Sequence, residues 1–119
     1  MPNINKILDQ LMDVSGAAAA AVVDVNSGMM LGGKGSGVDL ELAAGGNTQV
    51  VKSKMKTLEM LDLNDKIEDI LITLNSQFHL IRPTSKLEGL FLYYVLDSSH
   101  ANLALARRAL KSAEEQLVI

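Results

Sequence analysis

Apolar residues Ile4, Ile7, Leu8, Leu11 and Met12 recur at i, i+3, i+4, i+7 and i+8, the spacing of one helix face, and predict an amphipathic helix that opens just after Pro2. It should stop near Ser15–Gly16, because glycine readily takes the left-handed conformation that ends helices. The run AAAAAVVDV that follows has a helical composition. However, Gly16 lies before it, Val22, Val23 and Val25 close it, and Asn26-Ser27-Gly28 make a turn signal, so a strand entering a hairpin is predicted. The second arm is expected from Met29 to about Gly33, with the glycine-rich GGKGSG stretch as a mobile loop. A long helix begins at Leu40, capped by Asp39, with Leu40, Ala44, Val51, Met55 and Leu58 as its buried stripe. Gly45 and Gly46 interrupt it at about 1 kcal/mol each. They imply either a kink or a close approach by another backbone.

Three more strands follow. Lys66–Leu74 alternates weakly, Gln77–Arg82 follows an Asn75-Ser76 turn, and Gly89–Asp97 comes after a polar loop, Pro83 to Glu88. The segment GLFLYYVLD is apolar on both faces, which marks a central strand covered by helices on each side. The last helix carries Leu103, Ala106, Ala109, Leu110, Ala113 and Leu117 on one face, with Ser98 or Ser99 as cap. Asn102 falls on its inward side and is expected to bond a main-chain group of a neighbouring element. The sum is an α+β chain of five antiparallel strands and three helices in the order α-β-β-α-β-β-β-α, and residues 1–119 are expected to form one domain.

Composition narrows the function. With 48% hydrophobic and 21% charged residues, the chain is an ordinary globular one. Phe78, Phe91, Tyr93 and Tyr94 are its only aromatics, too few for a base-stacking or sugar platform. A net charge of −3 with scattered basic residues argues against nucleic acid as a partner. The absence of cysteine excludes disulfides, thiolate metal sites and a catalytic thiol. No charged segment followed by an apolar core opens the chain, and no apolar run approaches about 18 residues. No membrane insertion and a cytoplasmic location are therefore expected.

Catalytic chemistry finds little support. Gly28 to Lys34 fits the first seven positions of the phosphate-loop pattern G-x-x-x-x-G-K, but Gly35 stands where Ser or Thr is required, and Met29–Leu31 reads as a strand where a loop should enter a helix. His79 and His100 have no carboxylate at metal-ligand spacing; His79 is expected on a strand surface and His100 in the first turn of the last helix. Asp62, Asp65, Glu68 and Asp69 read as a solvated loop and strand start, and Arg107 and Arg108 as surface charges. Catalytic, cofactor and metal residues are therefore none. Lys66–Leu74 would be a free edge carrying Ile67, Ile70 and Ile72, a hazard that pairing with a second copy removes.

The strings GAAAAAVVDVNSG, FHLIRPT and ANLALARRAL, in that order and spacing between about Asp13 and Leu117, resemble the roadblock/dynein light chain family. The resemblance implies a sheet ordered 2-1-5-4-3, with the first and last helices on one face and the middle helix on the other. It also implies a homodimer in which middle helices pack antiparallel and third strands pair into a ten-stranded sheet. Val50, Lys54, Thr57 and Leu61 on the helix and Ile67, Ile70 and Ile72 on the strand would make that contact. Family members mostly act without catalysis as adaptors, and the expected partner is a small Ras-like GTPase. The competing readings are a small-molecule or signal-sensing module, suggested by six methionines and many small residues along the presumed sheet–helix seam, and a purely structural subunit of a larger complex.

Overall fold

The strand apolar on both faces lands at the centre of the sheet. In the computed structural model, which describes residues 1–119, α1 (Ile4–Met12), β1 (Ala17–Asp24), β2 (Met30–Gly35), α2 (Leu40–Met60), β3 (Ile70–Thr73), β4 (Gln77–Pro83), β5 (Leu90–Asp97) and α3 (Leu103–Gln116) follow one another. The five strands form one sheet in the order β2-β1-β5-β4-β3, every neighbour antiparallel. Phe91 to Leu96 of β5 are all buried. Alternation then divides the core in two. Leu92, Tyr94 and Leu96 pack with Ile7, Leu8 and Leu11 of α1 and Ala106 and Leu110 of α3, while Phe91, Tyr93 and Val95 pack with Ala44 and Val51 of α2. The Tyr94 hydroxyl, inside the first layer, donates to the Leu11 carbonyl and so ties β5 to the end of α1; a buried hydroxyl needs such a partner.

β1 works as a thin strand. Ala19 and Ala21 face α2, and Ala20 and Val22 face α1 and α3, so helices can approach the sheet closely on both sides. The same closeness explains the first departure from the sequence reading. Most of the glycine-rich stretch is strand rather than mobile loop, because β2 continues to Gly35 and Ser36 still donates to the Ala18 carbonyl at 2.9 Å. A Cβ on Gly32 would stand 2.7 Å from Ile4 Cγ2 of α1. At Gly35, where φ is +101°, it would stand 2.2 Å from the Ala18 carbonyl oxygen. Crowding by neighbouring elements, not looseness, accounts for these residues.

A second departure is the length of β3. Only Ile70–Thr73 pairs with β4, Ile70 opposite Ile81 and Thr73 opposite Phe78. Continuing that register would set Glu68 against Pro83, which has no amide hydrogen to donate. Asp69 is instead held by Arg107 of α3 through Nε at 2.9 Å and Nη2 at 3.2 Å. The acidic cluster is thus partly anchored, and Arg107 is not an idle surface charge.

The third concerns α3. Its cap is Asn102, whose side chain accepts from the Leu105 amide at 3.1 Å, and not Ser98 or Ser99. Asn102 is exposed rather than inward. Its main-chain partner is the first turn of its own helix, the standard bond of an N-cap asparagine.

Gly45 and Gly46 neither break the helix nor admit another backbone of this chain. α2 runs unbroken from Leu40 to Met60, and nothing lies within 4 Å of a Cβ built on either glycine. Gly45→Ala is therefore expected to raise stability by about 1 kcal/mol, read as a higher urea midpoint with unchanged slope; a lower midpoint would reveal a hidden clash.

Candidate docking face

α2 is fixed at its start and free at its end. Asp39 accepts from the Leu42 amide at 3.2 Å, and Ala44, Thr48 and Val51 are its buried residues. Thr48 satisfies its hydroxyl on the Ala44 carbonyl at 2.7 Å. Beyond Val51 the helix buries nothing fully: Met55, expected in the core, is 40% exposed, and Leu58 is half-buried. The cause is geometric. α2 packs mainly on β1 and β2, and its C-terminal half reaches beyond that contact, mostly exposed.

The overhang leaves an open groove of about 460 Å³ between α2 and the stretch leading into β3, lined by Val50, Lys54, Leu58, Leu63, Ile67 and Ile70 among others. A second hollow of about 340 Å³ continues it past Met55 and Leu63 toward Pro83 and Ser85. Four of the seven residues named from sequence for the contact, Val50, Lys54, Ile67 and Ile70, thus line one groove. Thr57 is half-buried and donates to the Ser53 carbonyl at 2.9 Å. Leu61, 58% exposed, sits at the helix C-cap outside the groove. Ile72 lies half-buried on β3 directly opposite His79. β3 is also the last strand on its side of the sheet, so its outer row of amides and carbonyls has no strand to pair with.

His79 is half-buried rather than projecting freely. Nε2 lies 3.0 Å from Gln77 Oε1, Nδ1 lies 3.1 Å from the Tyr93 hydroxyl, and the two rings meet edge to face at 5.5 Å. Burial holds its pKa below the ordinary 6.5. Burial also raises that of Tyr93, against the pull of the Asn47 amide beside it. His100 lies in the turn before α3, not in its first helical turn, with Nδ1 2.9 Å from Asp97. His100 first, and then Ser99, hold the Asp97 carboxyl down at about 2.

Two further polar arrangements settle side chains left open by the sequence. Arg82 Nε donates to Glu114 at 2.6 Å, and the Ser85 amide and hydroxyl reach the other carboxylate oxygen at 2.7 and 3.1 Å. This buried pair, 13% and 7% exposed, joins β4 to α3; its members stand 32 positions apart, so local spacing could not reveal it. Lys34, the lysine of the phosphate-loop match, pairs with Asp9 of α1, and the matched glycines occupy a hairpin and an edge strand. No three side chains of His, Asp or Glu converge as metal ligands would. Of the six methionines, only Met12 and Met30 pack against a core, so a methionine-lined seam does not exist. No helix is long and apolar enough to cross a membrane.

A sheet ordered 2-1-5-4-3, with α1 and α3 on one face and α2 on the other, is the roadblock/LC7 fold, as the resemblance implied. The Roadblock/LC7 domain from Streptomyces avermitilis shares it at a TM-score of 0.80 and 10% identity, over 92% of this chain and 90% of that one. MglB of Myxococcus xanthus superposes with a TM-score of 0.83 at 17% identity, covering 95% of this chain and 89% of its own. The gliding protein MglB from Thermus thermophilus gives 0.82 at 17% identity, covering 95% and 84%. No family model and no curated protein matches the chain. Identities this low establish a shared fold.

Proposed function

We propose that this chain is a non-catalytic adaptor that pairs with a second copy of itself and, as a dimer, binds a small Ras-like GTPase. The observation that carries the reading is the conjunction of an unpaired β3 edge with the overhanging half of α2. Val50, Ile67 and Ile70 flank a groove open to solvent, and a twofold copy would fill it while completing the strand pairing. Regulation would follow from binding one switch conformation of the GTPase more tightly than the other. The arginines fit a role short of catalysis. Arg82 is committed to Glu114 and Arg107 to Asp69, which leaves Arg108 as the only one of the three without such a partner.

Light scattering should give twice the chain mass for the native protein, and about the chain mass for Ile70→Lys and Val50→Glu. An unchanged mass in both variants places the contact elsewhere. For the partner, the purified chain should capture a GTPase from extract in one nucleotide state, GDP or a non-hydrolysable GTP analogue, and not in the other. Equal capture in both states favours a tether over a regulator, and capture of no GTPase refutes the reading.

A further inference from the structure

His79, Tyr93 and Asn47 stand in line across the seam, from β4 through β5 to α2, on the sheet face that carries Ile70 and Ile72. With Gln77 Oε1 facing Nε2, the neutral imidazole carries its hydrogen on Nε2. Nδ1 can then accept the hydrogen of the Tyr93 hydroxyl, whose oxygen lies near the Asn47 side chain of α2. A proton arriving at Nδ1 reverses the line. Nδ1 becomes a donor, and the Tyr93 hydroxyl must turn its hydrogen away from His79, toward the α2 side. On α2, Asn47 stands one turn before Val50, which lines the groove.

We propose that the His79–Tyr93 pair makes self-association of the chain weaken in acid, with the dimer favouring neutral His79. The proposal rests on the dimer reading above. The groups facing His79 agree with it. β5 presents Tyr93 and Val95, β3 presents Ile72, and β4 itself presents Gln77 and Ile81. The charges nearby are Lys54, lining the groove with Asp65, Lys66, Glu68 and Asp69, and Asp97 beyond Val95, already engaged by Ser99 and His100. Asp69 is bound to Arg107. No free carboxylate is hydrogen-bonded to the imidazole, so a buried imidazolium there would lack a counter-charge.

Burial already lowers the His79 pKa in the single chain, and a copy seated over Ile70 and Ile72 removes more water and lowers it further. The dimer then binds fewer protons than two free chains. Association is at full strength above the free chain's His79 pKa and weakens as pH falls through it.

Sedimentation equilibrium at about pH 7.5 and 4.5 reads this directly. A further depression of about one pKa unit at each of two histidines raises the dimer Kd by up to about a hundredfold, about tenfold per histidine, once pH has passed below both pKa values. His79→Gln should abolish the change and His100→Gln should keep it. In the native protein, the imidazole resonance of His79 should titrate at lower pH in concentrated than in dilute solution, a readout that stands even where His79→Gln fails to fold. A dimer whose Kd is the same at both pH values, or whose pH dependence survives His79→Gln, overturns this inference alone. A monomer at every concentration overturns the dimer reading as well.

Discussion

Replacing Glu114 with alanine is expected to lower the free energy of unfolding by about 3–5 kcal/mol, because the Arg82 guanidinium stays buried without a counter-charge. The Ser85 amide and hydroxyl lose their acceptor in the same step, and unpaired buried donors add to the loss. The native carboxyl itself carries a pH signature. Burial alone would push its pKa up, but the Ser85 amide, Arg82 and the Ser85 hydroxyl together hold it below the ordinary 4.5. A carboxylate depressed on folding stabilises fully above its unfolded pKa, and that stabilisation is lost as pH falls through the folded value. Urea midpoints of the native protein should therefore fall more steeply below about pH 4.5 than those of Glu114→Gln. Parallel decline in the two proteins would mean that the clamp between β4 and α3 contributes nothing.

Gly35→Ala should be nearly as damaging, at about 2–3 kcal/mol. Its backbone has a φ of +101°, and the added Cβ would meet main-chain atoms of Ala18 and Ala19 at 2.2 and 2.6 Å. Main chain in the middle of a sheet cannot step aside as a side-chain tip can. Thermal melting in the circular-dichroism signal gives the size of the effect, and a midpoint within a degree of the native one would show that β2 does not run as described. The contrast with Gly45, where alanine should stabilise, makes the point that composition alone does not say what a glycine is for.

That contrast also marks how far the sequence could be read. Elements whose signal is local came out well: the α1 stripe, the Asp39 cap, the β1–β2 hairpin, and above all β5, whose two apolar faces required a central place. The resemblance added the strand order. Features decided by distant residues did not come out. Gly32 to Gly35 look like a loop until Ile4 of α1 and Ala18 of β1 are seen against them. β3 starts late because of Pro83 on another strand, and Arg107 finds Asp69 across 38 positions. Asn102 departs from expectation for a different reason. Asp97, Ser99 and His100 form their own hydrogen-bonded turn, so the helix begins later than the serines suggest. Of the contact residues expected from edge logic and resemblance, Val50, Lys54, Ile67 and Ile70 line one groove, while the His79–Tyr93 contact was not foreseen, since two different strands contribute its groups.

The middle of the sheet joins strands remote in the chain: Val22 of β1 lies beside Leu92 of β5. On a ribosome, the β1–β2 hairpin therefore emerges long before the strand that must lie next to it, and waits with an alanine- and valine-rich flank unpaired. Pairing between segments so far apart carries a large loop-closure entropy. Assembly of this sheet thus waits for β5 to emerge, and that interval is when the nascent chain is most open to capture by a chaperone or by another copy.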